Sequence, residues 1–320
     1  MSNSLLSLIA GTPLFHRTQW FRAMLADPDH QIFPDRTWLK NHTERDIEVV
    51  NIGSSGARWA FDYADTGIKA MNWGWMPQTL QEDFGLLRHF HSILKPGATV
   101  IITIMPFSGL NKATGLFDAM KYAHLDIDQD QDPIQPHLYN RAKQLTRYPI
   151  LFGGAALKAL VRYLLGRERK DDRQTRGMID HNPMNDKQLE ADARNWIEGW
   201  KRQFSIADFD APLTPQNQEG RNYRIQLMRQ LIDFCIGHNL RPVYVIPPVT
   251  NHLSNYYSTA FCKTYIYDFL SEVERDIPLY DYSKDEALSQ DGLYFNSFFL
   301  NQYGRRIFTQ RVIKDVLNQH

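Results

Sequence analysis

Five short apolar runs, none long enough to make a helix, constrain this chain more than any other feature of its 320 residues. They are Ile47–Ile52, Lys69–Asn72, Thr99–Met105, Pro242–Ile246 and Leu279–Tyr282. Most are rich in β-branched side chains, and none alternates cleanly between apolar and polar residues. That is the pattern of strands buried on both faces, as in a parallel sheet. Helical patterns lie between and after them. Gln78–Leu94 sets Leu80, Phe84, Leu87, Phe90, Ile93 and Leu94 at helical spacing until Lys95-Pro96-Gly97 stops it. Tyr223–Ile236 does the same through Ile225, Leu227, Met228, Leu231, Ile232 and Cys235 and ends at Gly237, and Gln302–Leu317 forms a last helix. Strand and helix alternating at both ends of the chain imply an α/β fold, a flavodoxin-like three-layer sandwich around a parallel central sheet with right-handed crossovers. In such a sheet ligands sit beyond the carboxyl ends of the strands, where the strand order reverses.

The strand–helix rhythm stops between Ser108 and Pro215. The expected organisation is an N-terminal segment, 1–45, packed on the core; an α/β core of 46–108 and 220–320; and a mainly helical insertion or cap, 109–219. The insertion holds an amphipathic stretch, Leu151–Leu165, broken by Lys158 and Arg162, then the charge cluster Arg167–Arg173, and Trp196 and Trp200 spaced to share one helix face. Such a stretch either packs on its own domain or lies on a membrane surface. It falls short of the roughly 20 residues a bilayer crossing needs.

Lys+Arg and Asp+Glu each total 36, so no net field draws the chain to nucleic acid. Cys235 and Cys262 lie in apolar helical stretches without metal-ligand spacing and read as buried thiols. The N-terminal apolar run is short and has no basic residue before it, unlike a signal peptide. A cytoplasmic protein is expected, alternatively one peripheral at the inner face of the membrane. The acidic run Asp126–Asp132 lacks the turn glycine and terminal glutamate of a calcium loop, and there is no glycine-rich phosphate loop and no HExxH. Neither a cofactor nor a metal is expected.

The segment richest in chemistry is Val49-Val50-Asn51-Ile52-Gly53-Ser54-Ser55-Gly56, a strand running into small residues and then the helical pattern Ala57–Tyr63. A serine there either caps the helix or stands as a nucleophile beside unpaired backbone N–H groups that can hold an oxyanion. Among 11 histidines, His252 is the candidate base, because Pro247–His252 leaves a strand at the expected ligand edge; the alternative is a surface loop histidine. His89 and His91 look structural, and His42 and His181 sit in polar segments.

Gly53-Ser54-Ser55, Asn72-Trp73-Gly74 after the second strand, Pro247-Pro248 ending the fourth, and Phe295-Asn296-Ser297-Phe298-Phe299-Leu300-Asn301-Gln302-Tyr303-Gly304 together resemble the SGNH (GDSL-like) hydrolases. The resemblance is closest to the divergent branch found among bacterial proteins of surface-polysaccharide assembly, and it covers residues 46–108 and 220–320. It implies that Ser55 stands at the family's nucleophile and Gly74 at its oxyanion-hole glycine. Ser54, Asn72, Asn296 and His252 then complete the expected oxyanion and ligand-binding set. The family's aspartate after the first glycine is Ser54, its third-block asparagine has no counterpart in Met105-Pro106-Phe107-Ser108, and its Asp-x-x-His is Asn296 and Phe299. Phe295, Leu300, Asn301 and Gly304 match.

A serine hydroxyl needs a base to take its proton and an acid to hold that base in register, and neither an amide nor a phenyl ring does either. The resemblance therefore implies, first, a catalytically degenerate relative that binds a glycan or acylated glycan in exopolysaccharide or cell-surface glycan biosynthesis. The alternatives are an O-acyltransferase or acyl-ester hydrolase using Ser55 with a relocated base such as His252, and an interaction protein of a membrane-associated or glycan assembly.

Overall fold

A computed structural model describes residues 13–21, 42–75, 78–110, 116, 119–120, 122, 137–168 and 184–317. The acidic run Asp126–Asp132, His181, most of the charge cluster after Arg167 and most of the N-terminal apolar run lie outside the described residues. The chain divides into two compact units, residues 43–112 with 178–320 and residues 1–42 with 113–177.

The larger unit is built on five parallel strands in the order β2-β1-β3-β4-β5: β1 Ile47–Ile52, β2 Ala70–Asn72, β3 Leu94–Thr103, β4 Arg241–Ile246 and β5 Leu279–Asp281. This is the flavodoxin-like order, and it reverses between β1 and β3. Five helices matter below: α1 Ser55–Ala60, α2 Leu80–Phe90, α3 Asp186–Phe204, α4 Pro215–Gly237 and α5 Gln302–Leu317. On one face of the sheet Val49, Ile101, Val243 and Val245 meet Phe61, Phe308, Val312 and Val316, so α1 and α5 form one outer layer. The alternate residues Val50, Val100 and Tyr244 point the other way and are also buried, and α4 packs there against α2 and β4. Both faces being covered explains why β1, β3 and β4 read as continuous apolar runs; β5, expected to be buried, is an edge strand in which Leu279 is 44% exposed and Asp281 is exposed too.

Two boundaries differ most from expectation: α4 starts at Pro215, eight residues before Tyr223, and β3 starts inside the segment expected to end a helix. β3 begins at Leu94, paired with Ile47, and reaches the regular register only at Thr99 opposite Val49. Lys95-Pro96-Gly97, which by its composition should only stop a helix, is an irregularity inside the strand. Pro96 offers no N–H to the ladder and Gly97 takes φ +79°, so the extra residues loop out without breaking the pairing on either side.

The other unit holds the helices Pro13–Arg17, Leu138–Arg147 and Gly154–Leu164, the last two joined by a 3₁₀ turn, Pro149–Phe152. Phe15 and Phe21 are buried, and Trp20 meets Phe152 edge-on at 5.4 Å. Glu168 accepts a hydrogen bond from the Gln19 backbone N–H at 2.7 Å. Among the described residues no helix is long and apolar enough to cross a membrane.

Candidate functional site

The chain leaves β1 through Gly53, at φ +135°, where a side chain would press on Ala57 Cβ at 2.9 Å and Thr103 Cβ at 3.1 Å. Only glycine makes this turn comfortably. Ser54 is the residue that caps α1, but its hydroxyl makes no capping bond and instead accepts from the Gln78 backbone N–H at 3.2 Å. Ser55 is the first helical residue, half-buried at the turn, and so is not the cap.

Two side chains fix this turn from outside it. Asp83, buried on α2, accepts from the Gly53 N–H at 2.7 Å and from the Gln78 side-chain amide, which also donates to Trp73 O at 3.1 Å. Asp83 is aimed by the start of α2, where Thr79 and Glu82 form a reciprocal capping box. Asn72, at the end of β2, accepts from Asn51 Nδ2 at 2.8 Å and from Gly74 N at 2.9 Å. Its own amide donates to the carbonyls of Arg58 and Phe61, both at 3.1 Å, and more loosely to Ala57 O. The Asn72 side chain thus binds α1 to β1 and β2. Gly74 lies so close to α1 that a Cβ there would stand 2.6 Å from Arg58 N.

Ser54 and Ser55 open onto a cavity of about 390 Å³ at the carboxyl ends of β1 and β3, where the strand order reverses. Its far wall is the segment after β3, Ile104–Ser108. Phe107 in that segment takes φ +69°, an uncommon and strained conformation for an aromatic residue. A surrounding cluster holds it there: Trp200, Phe204, Phe261 and Tyr265 lie with ring centroids 4.9–5.6 Å from its own. α3 contributes Trp196, Trp200, Gln203 and Phe204, and α4 contributes Arg224 and Met228. The two tryptophans do share one helix face, with ring centroids 5.9 Å apart.

The remaining wall is Phe298 and Phe299. Asn296, nearly buried, accepts from the backbone N–H groups of Phe298 at 2.9 Å and Phe299 at 2.7 Å, which curls the loop. Ser297 locks it: its N–H and hydroxyl both donate to Asp192 on α3, and its carbonyl accepts from Thr250 Oγ1 at 2.8 Å. Phe299 is packed between Trp59, stacked at 5.8 Å, and Trp196, edge-on at 5.4 Å.

Ser54, Ser55 and Phe299 therefore meet in one cavity, with Asn72 and Gly74 supporting the serine turn from behind and Asn296 shaping the opposite loop. His252 is not among the cavity's lining residues. Its Nε2 lies 3.3 Å from Asp291 Oδ2 and 3.4 Å from Asp186 Oδ1. Among the described residues these three are the group close enough to share a cation, but both carboxylates are exposed and the geometry is also that of a histidine held between two acids. Among the described residues that line the cavity, Asp83 and Arg224 are the titratable ones.

Asp83, Gln78, Phe107 and Arg224 were not read from the sequence as site residues. Two of them left a signal. Thr79-x-x-Glu82 marks a helix start and puts Asp83 in its first turn, and Arg224 stands four and seven residues before Met228 and Leu231, on the buried stripe of α4. No family model matches the sequence, and no curated protein matches it either.

Proposed function

We propose that this protein binds an acylated or partly acylated glycan in the cavity beside Ser55, as a catalytically silent relative of the SGNH hydrolases with a part in making or modifying a cell-surface glycan. The observation that carries this reading is the make-up of the cavity wall. Phe107, Trp196, Trp200, Phe204, Phe298 and Phe299 surround Ser54, Ser55, Gln78, Asp83, Gln203 and Arg224, and no described lining residue is a histidine or lysine. Aromatic faces stack on the C–H faces of sugar rings or take an acyl chain, while a few fixed polar groups select hydroxyls. The volume falls within the roughly 300–1,000 Å³ of small-molecule sites.

The resemblance at Gly53-Ser54-Ser55 and Phe295–Gly304 supports the ligand class. Against turnover stands the placing of Phe299, which fills its position with a ring packed on Trp59 and Trp196. A serine without a base keeps only the catalysis that binding and an oxyanion site provide, thousands-fold or more below an intact triad.

Saturable quenching of tryptophan fluorescence by O-acetylated oligosaccharides, lost in Trp200→Ala, is the expected result. A fluorophosphonate should leave the wild-type chain unlabelled, whereas Asn296→Asp combined with Phe299→His should permit labelling that Ser55→Ala removes. Ester turnover by the wild-type chain that Ser55→Ala abolishes would overturn the proposal, as would the absence of any saturable carbohydrate response.

A further inference from the structure

The helix Gly154–Leu164 is packed with its small residues inward. It buries Ala156 and Ala159, at 0% and 6% exposure, and turns Leu157, Val161 and Leu164 outward at 55%, 46% and 63%. Leu151 before it and Leu165 after it are 59% and 58% exposed. The spacing 157, 161, 164/165 makes these one apolar stripe. A helix serving only its own unit would do the opposite, because leucine gains several times more from burial than alanine.

Charge identifies what the stripe fits. Lys158 and Arg162 each follow a stripe residue by one position, and with Arg167 they line a shallow groove together with Leu157, Val161 and Leu165. None of the three cations is in an ion pair with a described residue. From Pro133 to Arg167 the sequence has no Asp or Glu while carrying Arg141, Lys143, Arg147, Lys158, Arg162 and Arg167, in a chain whose charges balance overall. A second copy of the chain would bring like charges together across a two-fold axis. An anionic bilayer instead receives leucines into its acyl boundary and presents phosphates to Lys and Arg, whose stems reach outward.

We propose that the Leu151–Arg167 face docks onto an anionic lipid bilayer, with the helix lying in the interface. At 11 residues the helix is about 16 Å long, half of a hydrocarbon core, so it lies on the membrane and does not cross it.

The test is flotation of the full chain with vesicles of equimolar phosphatidylglycerol and phosphatidylcholine, against vesicles of phosphatidylcholine alone. Flotation with the anionic vesicles only, weakening as salt is raised, is expected. Lys158→Gln with Arg162→Gln should lower the partition coefficient roughly thirtyfold, at about fivefold per basic side chain near the surface. Leu157→Ser with Leu164→Ser should lower it comparably while leaving the circular dichroism unchanged, since both side chains are exposed. Failure of the wild-type chain to float, equal flotation with neutral vesicles, or insensitivity to either double variant would overturn the proposal. So would a wild-type dimer, abolished by the leucine variant, that excludes lipid.

Discussion

Asn72→Asp exchanges one atom type at the junction that carries the serine turn, and its consequence can be worked out from the hydrogen bonds. The orientation of the amide is forced, because the Gly74 N–H at 2.9 Å needs an acceptor and can only face Oδ1. The other branch therefore donates, to Arg58 O and Phe61 O at 3.1 Å each. A carboxylate there loses two good bonds, about 1 kcal/mol each, and sets a negative oxygen against carbonyls, about 1–3 kcal/mol more. The charge strengthens the bonds from Asn51 and Gly74 and returns about 1 kcal/mol. The net cost near neutral pH is about 2–4 kcal/mol. Protonation restores one donor, so the folded chain holds that proton more tightly than the unfolded chain, and the introduced group has a raised pKa when folded. Its penalty is fully present above that pKa and shrinks as pH falls through it toward the unfolded value, about 3.9. Urea unfolding of variant and wild type, compared at about pH 7 and about pH 4.5, reads the difference directly. A penalty below about 0.5 kcal/mol, or one that does not narrow in acid, would show that the amide does not donate to α1.

Gly304→Ala should prevent folding or cost more than about 3 kcal/mol, because its Cβ would stand 2.1 Å from the Leu293 carbonyl oxygen and backbone cannot step aside. Gly56→Ala would set its Cβ 2.3 Å from Sδ, 2.7 Å from Cγ and 2.8 Å from Cε of Met105, a side chain that can turn aside where backbone cannot, so it should cost about 1–3 kcal/mol in the same urea titration, partly offset by alanine's helix propensity. Burial pushes the Cys235 thiol up to about 12 and raises Cys262 as well, so at pH 8 only on the order of one Cys235 in ten thousand is thiolate. Ellman's reagent should therefore see neither thiol in the native protein and both in urea, and prompt native reaction would contradict their burial.

The fold was legible because its determinants are local and repeated. Val49, Val50 and Ile52, or Val243, Val245 and Ile246, are buried whichever way they point, and that condition writes itself into the sequence as an unbroken apolar run. The places of Ser54 and Ser55 in the cavity wall, and of Gly74 behind them, were legible for a related reason: they follow strands, and a sheet brings strand ends together. The rest of the cavity has no such rule. Asp83 sits in a helix whose apolar spacing drew attention to its neighbours, and it reaches Gly53 only through the packing of α2 beside β1. Phe107 looked like any loop aromatic, since its left-handed backbone is imposed by rings from α3 and from the segment 261–265. Trp196 and Trp200 were visible as a helix face, but their role as cavity wall depends on Ser297 tying the Phe298–Phe299 loop to Asp192 of α3.

Under the proposed reading Asn296 and Phe299 stand in place of an acid and a base, and their contacts explain how such an exchange leaves a fold untouched. The work Asn296 does in the loop is to accept two backbone N–H bonds, and a side-chain oxygen does this equally well on an amide or a carboxylate. An exchange of carboxylate for amide there would remove charge and leave geometry. Phe299 is a ring in an aromatic cluster with Trp59, Trp196, Phe295 and Phe298, so its position is maintained by packing that an imidazole would satisfy less well. Such packing strengthens the wall of the cavity at the point where, under the proposed reading, a base has been given up. Under the proposed reading, binding without turnover depends on that pocket of aromatic faces around a fixed polar floor.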